Sequence, residues 1–148
     1  DKDDVELRIA GTVSDTFPDE VVEEMKAFDE VTFHGYINNV PELYAESDVF
    51  VLTSLTDGGP CGPLEAMASG LPVVVSEKMG VEMDVEEGET GHIVPIRDAE
   101  SIADSLEQLY EQPERRTTMG EKARKHVTSI SGRESDALRE LYRYTVDQ

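Results

Sequence analysis

Apolar and β-branched residues gather in five short runs, at residues 6–10, 31–33, 49–53, 72–76 and 92–94, each bounded by polar or turn-forming positions. That grain predicts strands. Between the first two runs, Val21, Val22, Met25 and Phe28 share one helical face behind Pro18, a residue suited to a helix start. A second, short helix is predicted over residues 40–46, with Leu43 and Tyr44 as its apolar positions. After Gly62, Pro63 opens a helical stretch that Gly70 closes, the usual order of proline in and glycine out. Helices then fill the tail over residues 99–111, 114–128 and 133–146, divided by Pro113 and by the pair Ser131-Gly132.

Strands that alternate with helices, two of them almost wholly apolar, predict a parallel sheet covered on both faces. The expected fold class is α/β: one doubly wound, Rossmann-like domain over residues 1–148. Its parallel sheet has about five strands, with helices on both faces and the C-terminal helices packed outside. In such sheets ligands lie beyond the carboxyl ends of the strands. The loops that follow Ala10, Phe33, Thr53 and Ser76 are therefore the places to look for chemistry.

Thirteen Lys and Arg face 33 Asp and Glu, a net charge of −20. An excess of that size excludes general affinity for a nucleic-acid backbone, and an anionic membrane surface repels it too. The acidic residues are spread along the whole chain, and only five of the 13 basic residues are Lys. Such a solvated acidic shell suggests a protein of high-salt cytoplasm, with an ordinary acidic mesophilic protein as the alternative. Cys61 is the single cysteine, so no intrachain disulfide forms and a reducing cytoplasm fits. The longest apolar runs, at residues 48–52 and 71–75, fall far short of the ~20 residues a spanning helix needs, and direct membrane insertion is not expected. The chain opens on Asp1-Lys-Asp-Asp and passes at once into a strand, as though it starts inside a longer polypeptide.

The loop after Thr53 is the most informative stretch. It reads Ser54-Leu-Thr-Asp57-Gly58-Gly59-Pro60-Cys61-Gly62-Pro63-Leu64-Glu65. Three glycines remove side chains beside a helix start, so backbone N–H groups can approach a ligand, and the positive end of the helix favours an anion such as a diphosphate. Each feature also has a structural reading. With Gly62 as N-cap, Glu65 falls at the third helical position, where it reaches back to the cap N–H. Asp57-Gly58 is equally a turn signal. A glycosidase pair of carboxylates is a third reading, which a glycine-rich helix start suits poorly. His34 and His92 lie beside strands and read as structural, whereas His126 sits among Lys122, Arg124 and Lys125 on a helix face. No cluster has usable metal-ligand spacing, so no metal is expected.

Taken whole, residues 49–75 resemble the donor-binding signature of the retaining glycosyltransferases of GT-B architecture, the glycosyl transferases group 1. In that family a strand is followed by an acidic residue, a glycine-rich turn and Glu-Ala-Met-Ala-x-Gly-x-Pro-Val-Val, here Glu65-Ala-Met-Ala-Ser-Gly-Leu-Pro-Val-Val. Phe33-His34-Gly35-Tyr36-Ile37 is similar to the family's nucleobase-side loop, Leu43-Tyr44-Ala45-Glu46-Ser47-Asp48 to its short helix, and Gly88-Glu-Thr-Gly91-His-Ile-Val-Pro95 to its last strand. The resemblance implies that Glu65 accepts from the ribose hydroxyls and that Tyr36 and Ile37 flank the nucleobase, with core packing an equal reading for Ile37. Asp57 stands where the family usually has a glutamate touching the donor sugar, one methylene longer. Gly58, Gly59, Cys61, Gly62 and Leu64 become candidates for sugar and pyrophosphate contacts through their backbone; Pro60 and Pro63 can donate nothing. The family's aromatic-Gly pair is replaced here by Gly59-Pro60-Cys61.

The implied partners are a nucleotide-sugar donor and a sugar, lipid or polysaccharide acceptor, the latter held by an N-terminal domain outside this sequence. No cofactor is implied beyond the donor itself. The family's domain begins with an earlier strand and loop whose Arg and Lys neutralise the diphosphate, so the chain as given is not expected to turn over a sugar alone. Two other readings stay open: a non-catalytic nucleotide-binding or interaction module, and a sugar-nucleotide epimerase of the same architecture. Without that earlier strand, the run at 6–10 is expected to pair directly with that at 49–53, giving the order 2-1-3-4-5, because a gap inside a buried sheet leaves backbone groups unpaired.

Overall fold

A computed structural model of the protein describes residues 4–13, 17–56 and 60–146, those from 131 onward by backbone alone. The chain divides into two compact units, residues 1–40 and 41–148.

In the first unit, strand β1 (Leu7–Ala10), helix α1 (Asp19–Lys26) and strand β2 (Val31–Gly35) form a strand-helix-strand sequence, and the two strands pair in parallel. Leu7 stands opposite Val31 and Ile9 opposite Phe33, with an irregularity before Ala10. The Glu6 carboxylate ties the strands together, accepting from Arg8 Nε and from the Thr32 hydroxyl, each at 2.9 Å. Those two bonds hold the Glu6 carboxyl below its ordinary pKa. Pro18 stands at the N-cap of α1, where its missing N–H costs nothing. Val22 on the inner face of this helix is buried, while Phe28 and Val21 are exposed.

The second unit contains helix α2 (Val40–Ala45), which begins at the junction, then β3 (Phe50–Leu52), α3 (Cys61–Ser69), β4 (Val73–Ser76), β5 (Gly91–Val94), α4 (Ala99–Glu111) and α5 (Pro113–Val146). A 3₁₀ turn, Val81–Asp84, lies between β4 and β5. The sheet order is β3-β4-β5, all parallel, and every residue of β4 is buried, which is why that run is unbroken valine up to Ser76. Val74, Val94, Leu109 and Met119 form a core cluster, joined by Val49, Val51, Ile102 and Leu106. Two glycines set its spacing. A Cβ on Gly91 would lie 2.3 Å from the Val73 carbonyl oxygen, and one on Gly120 would lie 2.0 Å from that of Gly70.

These elements give the expected α/β, Rossmann-like class with parallel strands, and the five strands fall where the pattern placed them. Three details differ. The direct pairing of the 6–10 and 49–53 runs is not formed: among the described residues β1 pairs with β2 alone and β3 with β4 alone, giving sheets of two and three strands. The expectation assumed a buried edge. In fact β1 carries exposed residues at both ends and β3 is half-buried throughout, so the penalty for unpaired backbone groups, which holds for a buried sheet, does not apply in full. The tail carries one helix from Pro113 through Ser131-Gly132 to Val146, since a glycine weakens a helix by only about 1 kcal/mol and need not end it. The 3₁₀ turn lay in what read as loop; the Glu82 carboxylate organises it by accepting the Lys78 and Met79 N–H groups, each at 3.0 Å.

Candidate functional site

Helix α3 follows the carboxyl end of β3, where a doubly wound fold places its ligands. Its N-cap is Pro60, in extended conformation (φ −67°, ψ 135°), with no side-chain capping bond. Cys61, Gly62 and Pro63 are then the first three helical residues, two positions earlier than a start at Pro63 implies. Either proline satisfies the first turn, so the sequence alone does not choose between them.

The shift changes the meaning of Glu65. It now sits at the fifth helical position, beyond the first turn, where it cannot close a capping box; the cap is a proline and has no N–H to offer. Glu65 is exposed. The helix start itself presents few donors. The first four N–H groups of a helix lack intrahelical partners, and here Pro60 and Pro63 have none, which leaves those of Cys61 and Gly62. The helical pattern directs the Leu64 N–H back to the Pro60 carbonyl, so of the three candidate N–H groups among the described residues, those of Cys61 and Gly62 have no intrahelical acceptor and that of Leu64 has one.

The far end of α3 is firmly anchored. Gly70 adopts the left-handed conformation (φ 91°), its N–H bonds the Met67 carbonyl at 2.9 Å, and the Leu71 N–H bonds that of Ala66 at 3.0 Å. Ala66 and Met67 are fully buried. The start of α3 also packs closely, since a Cβ at Gly62 would lie 3.3 Å from Phe50 Cζ, a tight contact.

Tyr44 of α2 joins this group, although its place in the pattern marked it only as an apolar helix position. It is buried, its ring meets that of Phe50 edge-on with centroids 6.0 Å apart, and its hydroxyl reaches Glu65 Oε2 at 3.3 Å and the Gly62 carbonyl at 3.4 Å. Burial, and then the Glu65 carboxylate beside it, pushes the Tyr44 hydroxyl up to about 12. The phenol thus remains a donor throughout the neutral range. The signal available in the sequence was general: a buried tyrosine needs a partner for its hydroxyl.

Of the remaining candidates, Asp57, Gly58 and Gly59 lie outside the described residues. Tyr36 and Ile37 follow β2 in the first unit; Tyr36 is 77% exposed and Ile37 half-buried. That unit also has an open cleft of about 700 Å³ bordered by Gly11, Thr12, Asp19, Glu23, Lys26 and Phe33, in which Lys26 Nζ is already paired with Glu23 at 3.0 Å. Among the described residues, no three His, Cys, Asp or Glu side chains are placed to share a metal ion, and no helix is long and apolar enough to cross a membrane. His92 bonds Glu87 through Nδ1 at 2.8 Å, and His126 pairs with Glu86 at 3.3 Å, so both serve the loop before β5.

The family model for glycosyl transferases group 1 matches residues 1–126. The chain belongs to that family. Among curated relatives of this group 1 glycosyl transferase chain, an N-acetyl-alpha-D-glucosaminyl L-malate synthase from Bacillus anthracis is 34% identical over 108 residues, 73% of this chain and 28% of the relative. A D-inositol 3-phosphate glycosyltransferase from Arthrobacter sp. (strain FB24) is 35% identical over 124 residues, 81% of this chain and 30% of the relative. The chain thus spans less than a third of either protein. Among solved structures, sucrose-phosphate synthase from Thermosynechococcus elongatus superposes with a TM-score of 0.78 at 26% identity, covering 94% of this chain and 39% of that one. HepE from Anabaena in complex with UDP-glucose gives 0.79 at 21% identity, covering 94% and 42%, a likeness of fold.

Proposed function

We propose that this chain is the donor-nucleotide half of a retaining glycosyltransferase, which binds a nucleotide-sugar for glycosyl transfer to a sugar, lipid or polysaccharide acceptor. The observation that carries the reading is the position of Glu65. An exposed glutamate outside the first turn serves neither the helix dipole nor a cap, and its carboxylate, which meets the Tyr44 hydroxyl through Oε2, keeps Oε1 to accept a hydroxyl proton from a ribose. Beside it, the Cys61 and Gly62 N–H groups offer two donors to an anion at the positive end of α3. Such donors act on the negative charge that grows on the leaving diphosphate. Asp57 is assigned to the donor sugar, and Tyr36 and Ile37 to the nucleobase side.

Residues 27–77 contain no Lys or Arg, so diphosphate recognition in this stretch falls to backbone N–H groups and neutral side-chain donors. The UDP-glucose complex of HepE makes UDP the first probe, with GDP and ADP beside it. In titration calorimetry, Glu65→Gln is expected to weaken nucleoside diphosphate binding by about 1.5–3 kcal/mol, the worth of a charge-assisted hydrogen bond. Its circular dichroism should match the parent's. Equal binding by variant and parent returns Glu65 to an ordinary surface role.

A further inference from the structure

We infer that Tyr44 is the positioning residue for Glu65: its hydroxyl fixes one carboxylate oxygen and thereby aims the other at the ribose diol. The inference rests on the ribose-binding reading of Glu65 and adds to it a residue that reading does not contain.

The geometry of both partners carries it. Glu65 is exposed on α3, and a glutamate in that situation ordinarily samples many rotamers and loses them on binding. Here Oε2 lies 3.3 Å from the Tyr44 hydroxyl, while Tyr44 is only 8% exposed and held by its edge-on contact with Phe50. A mobile acid thus has an immobile phenol within hydrogen-bonding reach. The hydroxyl has one proton and two acceptors in reach, the Gly62 carbonyl at 3.4 Å and the carboxylate. The carboxylate, being charged, is the stronger acceptor. A phenol also has no second proton to donate elsewhere, so the contact has one direction.

The arrangement leaves capacity for a ligand. An ionised carboxylate has about four lone-pair positions. One accepts from Tyr44, which leaves Oε1 and the second lone pair of Oε2 for the two hydroxyls of a ribose. Gly62 takes part by having no side chain: a Cβ there would lie 3.9 Å from Tyr44 Oη and crowd Phe50 at 3.3 Å. Tyrosine, phenylalanine, glycine and glutamate from α2, β3 and α3 therefore act as one unit, with the acid as its outward tip.

The test compares UDP with 2′-deoxy-UDP, because the ratio of their affinities reads the ribose contact and cancels general damage to the fold. The parent is expected to favour UDP by about tenfold, the worth of one charge-assisted bond. Glu65→Gln should bring the ratio to about one. Tyr44→Phe, which deletes a single oxygen, should lower it to about two- to threefold with UDP still bound, and should change nothing further in the Glu65→Gln background. A structural role for Tyr44 would weaken both nucleotides alike and leave the ratio at the parent value, which overturns the proposal. If Tyr44→Phe does not fold, Glu65→Asp gives the second measurement: this exposed change withdraws the acid from Tyr44 by one methylene, and retention of the parent ratio there overturns the proposal equally. A ratio unaffected by Glu65→Gln, or no binding of UDP, GDP or ADP by the parent, removes the ribose reading itself and the proposal with it.

Discussion

Replacement of Gly120 by alanine tests the packing that seats α3. A Cβ built at Gly120 lies 2.0 Å from the Gly70 carbonyl oxygen, 3.0 Å from its carbon and 3.3 Å from Pro72 Cδ. Ordinary contact calls for about 3.5 Å, so the oxygen must retreat by roughly 1.5 Å. Gly70 is the left-handed residue that ends α3, and swinging its carbonyl turns the peptide that carries the Leu71 N–H, bonded to Ala66 at 3.0 Å. Overpacking of this kind costs about 1–3 kcal/mol, and the strained hydrogen bond adds about 1. Alanine returns about 1 kcal/mol through its better helix propensity. The net expectation is a loss of about 1–3 kcal/mol. Urea unfolding followed by circular dichroism should show the midpoint lower by roughly 1 M at an unchanged slope. A Gly120→Ala variant as stable as the parent, or more so, refutes the argument that α5 and the end of α3 meet backbone to backbone.

Other expectations are more local. Asp98 caps α4 by accepting the Ser101 N–H at 3.1 Å and the Ser101 hydroxyl at 2.7 Å, bonds that hold its carboxyl below the ordinary 3.8. Because the folded value is depressed, the stability it contributes is present above that ordinary value and lost as pH falls through the folded one; the advantage of the parent over Asp98→Asn in acid-dependent melts should vanish there, and a constant advantage contradicts the assignment. Tyr44 is raised from 10.0 to about 12, so its contribution is complete below pH 10 and lost as pH rises through about 12. Tyrosinate absorbance should accordingly show a late step in the parent that Tyr44→Phe lacks; identical titration curves count against the burial of this phenol. Cys61 is exposed at the first position of α3. Saturating UDP should slow its alkylation by iodoacetamide, and an unchanged rate places the ligand away from that turn.

The sequence was most legible where the signal is local. The valines of β4 allow only a strand covered on both faces, and Gly70 marks the end of α3 because few residues but glycine accept its φ of 91°. What eluded the pattern depended on relations between distant residues or on a choice between equals. Pro60 and Pro63 are both acceptable near a helix start, and only the backbone shows which one caps, moving Glu65 out of the first turn. Which strand neighbours which is decided by packing in three dimensions, so the division into sheets of two and three strands had no local cue. Tyr44 looked apolar because its neighbour Leu43 is; its hydroxyl acquires a role only once α3 brings Glu65 to it.

The ion pairs of the described residues bear on how this protein meets salt. Arg8 is engaged with Glu6, Lys26 with Glu23, Arg116 with Asp48 and Lys122 with Glu89, whose carboxyl that lysine holds below its usual range. With a net charge of −20, these cations are taken up internally by neighbouring acids. A doubly charged nucleotide approaching such a polyanion is accompanied by cations drawn from solution, where a protein that grips a phosphate chain with lysines instead sheds them. On the donor-binding reading, association with a nucleotide-sugar is expected to carry a positive salt linkage, its equilibrium constant climbing as KCl is added.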